Sequence, residues 1–139
     1  LWSPAAPQGK RTARASVVAG KPRMRKHPDT RRQETRVAWI ARAAMAGRQP
    51  IDQPVAVAIV AIMPIPASWS MVRQVRAARG AELPRVKPDS SNIAKLYEDS
   101  CNGVVFRDDS LVAILTVSKV YGMTPGVHVA IHPLAPPVG

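Results

Sequence analysis

Apolar and polar positions alternate along this chain in two periods. Val37, Ile40, Ala41, Ala44 and Met45 recur at three- and four-residue spacing, which predicts a helix over 28–46. Pro28 suits its first turn, Asp29 and Glu34 suit its positive end, and Gly47 stops it. From Pro54 to Met63 the pattern changes. Val55, Val57, Ile59, Ala61 and Met63 face one way, and Ala56, Ala58, Val60 and Ile62 the other. Both sets are apolar, which predicts a strand covered on both faces. Pro64-Ile65-Pro66 ends it.

A short helix follows, capped by Ser68 or Ser70 and ending near Gly80. Lys87-Pro88 then disfavours helix up to that point. Asp89, Ser90 or Ser91 can cap a second main helix, whose buried stripe is Ile93, Leu96, Tyr97, Ser100 and Cys101. Asn102-Gly103 supplies its left-handed end. Val104–Phe106 reads as a short extended piece. Leu111–Tyr121 reads as a long strand and Gly122–Gly126 as a turn. Val127–Ile131 reads as the returning strand of a hairpin. Upstream, residues 1–27 read as loop or basic arm, with one short strand at Arg14–Ala19. The expected fold is α+β. It is a single small domain over 1–139, with a mixed sheet and a C-terminal hairpin packed against two main helices.

Composition narrows the function. The net charge is +11, so the expected partner is a polyanion, in the first place nucleic acid. Residues 1–48 hold twelve of the twenty Lys and Arg but two of the nine acids. Cys101 is the single cysteine, which excludes an intramolecular disulfide and a Cys-based zinc site and fits a reducing cytoplasm. It reads as a core filler. The first ten residues lack the apolar stretch of a signal peptide. The apolar run Val55–Met63 is far short of the roughly 20 residues needed to cross a bilayer. No membrane role and no small-molecule cofactor are expected.

Five of the nine acids lie between positions 89 and 109: Asp89, Glu98, Asp99, Asp108 and Asp109. Concentrating acid in a basic, nucleic-acid-binding chain works against binding, and a divalent metal would explain it. Mg²⁺ takes carboxylate oxygens and keeps waters that can attack a phosphodiester. Solvated surface acids and a helix cap are the alternative. Lys95 and Asp99 are four apart, the spacing of a surface ion pair. Otherwise Lys95 faces the scissile phosphate. His128 and His132 fall on one sheet face, more simply an exposed edge than a metal pair. Arg73, Arg76 and Arg79 share one face of the short helix. With Lys10, Arg11 and Arg14 they form the candidate DNA-binding set. Trp69 is the one aromatic beside that helix, placed for base stacking or for packing.

The run Lys87-Pro88-Asp89-Ser90-Ser91-Asn92-Ile93-Ala94-Lys95, then Asp99 and Asn102-Gly103 through Asp108-Asp109-Ser110 and Val112, resembles the central motif of the RusA family of Holliday junction resolvases. That motif reads K-P-D-x-D-N-x-x-K, then D-x-x-N-G-x-x-x-x-D-D-x-x-V. Gly9-Lys10-Arg11 with Arg14, Pro28-Asp29-Thr30-Arg31, and Pro64-Ile65-Pro66-Ala67-Ser68-Trp69-Ser70 resemble further family segments in the same order. The resemblance implies a homodimer that nicks four-way DNA junctions in symmetric pairs with Mg²⁺ (Mn²⁺ as a substitute), in a bacterial or phage-derived setting. It implies metal-binding carboxylates at Asp89 and Asp109, with Asp108 beside them. It implies an essential cation at Lys95 and an orienting Asn92. Ser91 stands where the motif has a second Asp. Either Asp108, Asp99 or Glu98 compensates, or the chain binds junctions with impaired cutting. A basic RNA-binding protein is the third reading.

Overall fold

The computed structural model describes residues 1–10, 14–18, 21–25 and 27–134. Within 14–18 and 21–25 it describes the backbone alone. The elements in chain order are β1 (Trp2–Pro4), β2 (Arg14–Val18), β3 (Lys21–Arg25), α1 (Pro28–Met45), β4 (Val55–Pro64), α2 (Met71–Ala78) and α3 (Ser90–Cys101). A 3₁₀ turn (Asp109–Leu111), β5 (Val112–Gly122) and β6 (Gly126–Pro133) complete the chain. One small domain with three helices and a four-stranded mixed sheet results, an α+β fold as expected. The sheet order is β1-β6-β4-β5, and β2-β3 form a separate two-stranded ribbon.

The local signals set the helix ends. Pro28 opens α1, and the imidazole of His27 accepts the amide of Asp29 at 3.1 Å. Ala46 takes the left-handed conformation that closes α1, one residue before the expected Gly47. Of the two candidate serines, Ser70 caps α2, its Oγ accepting the amide of Arg73 at 3.2 Å. Asp89 is the N-cap residue of α3. At the other end Asn102 is extended, and Gly103 alone carries the positive φ.

β4 is the spine. It pairs in parallel with β5 and antiparallel with β6. Its odd positions Val55 to Ala61 are buried against Val37 and Ala41 of α1 and Ile93, Leu96 and Tyr97 of α3, while Met63 packs with Ala77 and Tyr121. Burying side chains of this size stabilises by roughly 1.5–3 kcal/mol each before entropy is counted. Phe106 is fully buried in the same cluster. It sits in a turn that bridges to Ile51, instead of in the extended piece expected at 104–106.

Three expectations are corrected. The C-terminal hairpin does not form, because β5 and β6 lie on opposite sides of β4. Gly122 aligns with Pro64 and Gly126 with Ile62, so the connection crosses over the end of β4. Strands two places apart are separated by about 9.6 Å, a gap that three extended residues can span. Second, β4 is buried on one face only. Its even positions, Ala56 to Ile62, are half-covered. Third, residues 1–27 are more than a loop or arm. Trp2–Pro4 is the edge strand β1, paired to β6, and β3 pairs with β2. The strand expected at Arg14–Ala19 is β2, and its last residue, Ala19, lies outside the described residues.

Candidate nucleic-acid interface and acidic site

The segment before β2 docks on the start of α3. The Lys10 amide donates to the Asn92 carbonyl at 3.0 Å. Gly9 makes this possible. A Cβ there would lie 2.8 Å from Cβ of Pro88 and 3.0 Å from Cβ of Asn92. Lys10 then reaches along α3, placing Nζ 2.5 Å from Asp99 Oδ2. The result is an open cleft of about 530 Å³ lined by Pro7 to Lys10 on one side and by Lys87, Pro88, Asp89 and Asn92 on the other.

This cleft suits an anionic ligand. Two cations flank it, and the N-terminal end of α3 adds the positive end of its dipole. Asp89 occupies the cap position, yet its side chain makes no capping hydrogen bond. Its carboxylate is exposed at the cleft wall. An acid that lines the cleft with Lys87 and is unused for capping has oxygens left for a hard cation.

The other acids divide. Asp108 caps the 3₁₀ turn. It accepts the Ser110 amide at 3.1 Å and the Ser110 hydroxyl, and these bonds hold its carboxyl below the ordinary range. Asp109 opens the same turn and is exposed. Burial first, then the charges of Asp109 and Asp99, push the Glu98 carboxyl above the ordinary range. Among the described residues no three Asp, Glu, His or Cys side chains form a group that could hold a metal. Asp89, Asp108 and Asp109 therefore do not build a complete cage. Ser91 is exposed beside Asp89.

Lys95 is exposed on α3. Asp99, four residues on, is taken by Lys10. The i,i+4 ion pair is thus replaced, and Lys95 forms no ion pair among the described residues. Asn92 contributes through its carbonyl, which anchors Lys10.

The basic helix α2 also divides. Arg73 is engaged twice. Its guanidinium lies 3.5 Å over the Trp69 ring and pairs with Glu82 at 2.7 Å. Trp69 in turn meets Tyr121 edge-on at 5.2 Å, so it packs α2 onto β5. Arg76 and Arg79 are exposed and form no ion pair among the described residues. Arg11, also in the expected DNA-binding set, lies outside the described residues, as does the side chain of Arg14.

His128 and His132 are exposed on one face of β6, as expected, but β6 lies inside the sheet between β1 and β4. Among the described residues they join no metal-holding group. Cys101 is buried in the core, where burial pushes its thiol up to about 12. No helix among the described residues is long and apolar enough to cross a membrane.

Sequence reasoning missed the anchoring of Gly9 and Lys10 on α3. No periodicity signals a contact across more than eighty residues. The one available signal was a glycine beside a lysine in a Pro-rich stretch.

Comparison with known proteins bears on this site. A family model described as Endodeoxyribonuclease RusA matches residues 4–132. The chain is also 32% identical over 121 residues to the uncharacterized protein YqaN of Bacillus subtilis (strain 168), covering 86% of this chain and 84% of that one.

Proposed function

Because the chain belongs to the endodeoxyribonuclease RusA family, we propose that it cuts four-way DNA junctions as a Mg²⁺-dependent homodimer, in paired symmetric nicks, within a bacterial cytoplasm. The observation that carries this reading is the cleft at the start of α3. There Asp89, whose side chain makes no capping hydrogen bond, lines the same cleft as Lys10 and Lys87.

Lys87 binds a phosphate flanking the cut, and Lys10, held by Asp99, positions the N-terminal segment at the cleft. Asp89 and Asp109 are the carboxylates assigned to the metal, and Asp108 shapes the turn that carries Asp109. When bound, Mg²⁺ supplies Lewis-acid activation of the phosphodiester and of a water. Lys95, which no acid among the described residues holds, stabilises the charge that builds on phosphate oxygens in the transition state. Asn92 holds the Lys10 segment against α3 through its carbonyl. Arg76 and Arg79 extend the phosphate-binding surface.

A second reading is favoured by one observation: the acids do not converge as a three-ligand group, and Ser91 stands where the family motif has an acid. In that reading the protein binds junctions and cuts them poorly.

The test is cleavage of an end-labelled four-way junction with Mg²⁺, with a chelator control and a Ser91→Asp variant. Paired nicks from the native protein support the first reading. Nicks from Ser91→Asp alone support the second. Strong preference for RNA over branched DNA in competition overturns both.

A further inference from the structure

We infer that the outer face of α2 carries an apolar wedge, Met71 and Val72 with Val75 behind them, that seats against unstacked bases at the branch point of a four-way junction. Met71 is 77% exposed, Val72 72% and Val75 42%. At about 100° per residue, Met71, Val72, Val75, Arg76 and Arg79 fall within one arc of roughly 140°. Ala77, the buried residue of α2, lies opposite. The outer face is therefore apolar along its first turn and cationic towards its end. Glu82, the single acid between positions 65 and 88, is held by Arg73, which leaves Arg76 and Arg79 for phosphates.

The wedge stands on a fixed base. Ser70 caps the helix, the Arg73 guanidinium covers the Trp69 ring, and Trp69 meets Tyr121 of β5 edge-on. Two residues back on the same side of β5, Lys119 donates to the Val86 carbonyl. The next residue, Lys87, lines the cleft at the start of α3. Lys119 and Tyr121 are alternate strand positions, about 7 Å apart. One short stretch of β5 thus anchors both the wedge helix and the segment that enters the cleft.

The chemistry fits bases better than backbone. Phosphate contacts need cations, and Arg76 and Arg79 supply them on any DNA. Apolar side chains instead act at base steps, where they replace lost stacking. Opening a step within a duplex is costly. In the open form of a four-way junction the stack is already interrupted where the arms meet, so the apolar contact is gained there and not on a duplex. The flexible, polarizable thioether of Met71 adapts to the face of any base. Met71 and Val72 are in this way specificity-determining residues, and the neighbouring arginines set affinity.

The inference rests on the junction reading of the proposed function, and its test reads binding in EDTA, without cleavage. A junction carrying 2-aminopurine at the branch point is expected to brighten when the native protein binds, and one labelled in the middle of an arm is not. The double substitution Met71→Gln and Val72→Gln should abolish that rise. It should lower junction affinity about tenfold by removing apolar contact, with duplex affinity and salt slope unchanged because no charge is altered. Both positions are exposed, so circular dichroism should stay native. A double variant that binds the junction like the native protein, or keeps the fluorescence rise, overturns the inference alone. So does an equal loss of affinity for junction and duplex. A change in sedimenting mass also overturns it, by assigning the face to a protein contact. Native protein with no preference for the junction over a duplex overturns the junction reading itself, and the inference with it.

Discussion

Nζ of Lys10 stands 2.5 Å from Oδ2 of Asp99, so a residue of the N-terminal segment takes the acid that helical spacing assigns to Lys95. The contact ties that segment to α3 and leaves Lys95 exposed. Both partners are about 30% exposed, so the coupling between Lys10→Gln and Asp99→Asn should be about 0.5–1 kcal/mol in a double-mutant cycle of thermal stability. The hydrogen bond to Asp99 leads in holding the Lys10 ammonium above its ordinary value of 10.5. A raised ammonium pKa contributes stability that is complete below the unfolded value and is lost as pH rises through the folded one. The coupling should therefore hold from neutral pH to about 10 and disappear in stronger alkali. No coupling at neutral pH would show that the pair does not form in solution.

Gly9→Ala places a methyl group 2.8 Å from Cβ of Pro88. The segment must lift from α3, at a cost of about 1–3 kcal/mol, and junction affinity should fall with it. Gly47→Ala is the control. Its φ is +80° and nothing lies within 4 Å of the new Cβ, so only the backbone cost of about 1 kcal/mol applies, and junction affinity should not change. Chemical denaturation and junction titration read the two effects separately. Equal affinity for both variants would detach the cleft from binding.

The three arginines of α2 should behave differently. Arg76→Ala and Arg79→Ala should each lower the slope of log binding constant against log salt by about one, with thermal stability unchanged. Arg73→Ala should instead lower the melting temperature, because it removes both the Glu82 pair and the stack on Trp69. A full unit of salt slope lost in Arg73→Ala, without destabilisation, would place Arg73 on the DNA.

Glu98→Gln should raise the melting temperature at pH 7. Burial, then Asp109 and Asp99, hold the Glu98 carboxyl above its ordinary value of 4.5. A raised carboxyl pKa means that folding favours the protonated form. The stability it contributes is complete below about pH 4.5 and is lost as pH rises through the folded value. At pH 7 the ionised side chain is therefore a burden that the amide removes. The two proteins should converge in stability below about pH 4. A melting temperature lowered by the substitution at pH 7 would mean that the charge is paired in solution.

Much of the architecture was legible because the signals are local. The stripe Ile93, Leu96, Tyr97 and Cys101 defined α3, and all four are buried. The alternation through Val55–Met63 marked β4. Ser70 and Pro28 fixed helix starts because capping and proline geometry act within one turn. The pairing of β5 was misread because Gly122–Gly126 has hairpin length, and turn chemistry does not say which strand is the partner. The open face of β4 was misread for a related reason. Alanine and valine at even positions look buried in a sequence, whether or not anything lies over them.

For the candidate site the division is the same. The order and spacing of Lys87 to Asp109 by themselves determined the family and the residues that could carry chemistry, because motif spacing is a property of the chain. Tertiary structure alone decided how those residues are employed. It gave Asp99 to Lys10, Asp108 to Ser110 and Arg73 to Trp69 and Glu82, leaving Asp89 and Lys95 uncommitted. A charged side chain takes whichever partner the fold brings within a few ångströms, and that distance depends on segments far away in sequence.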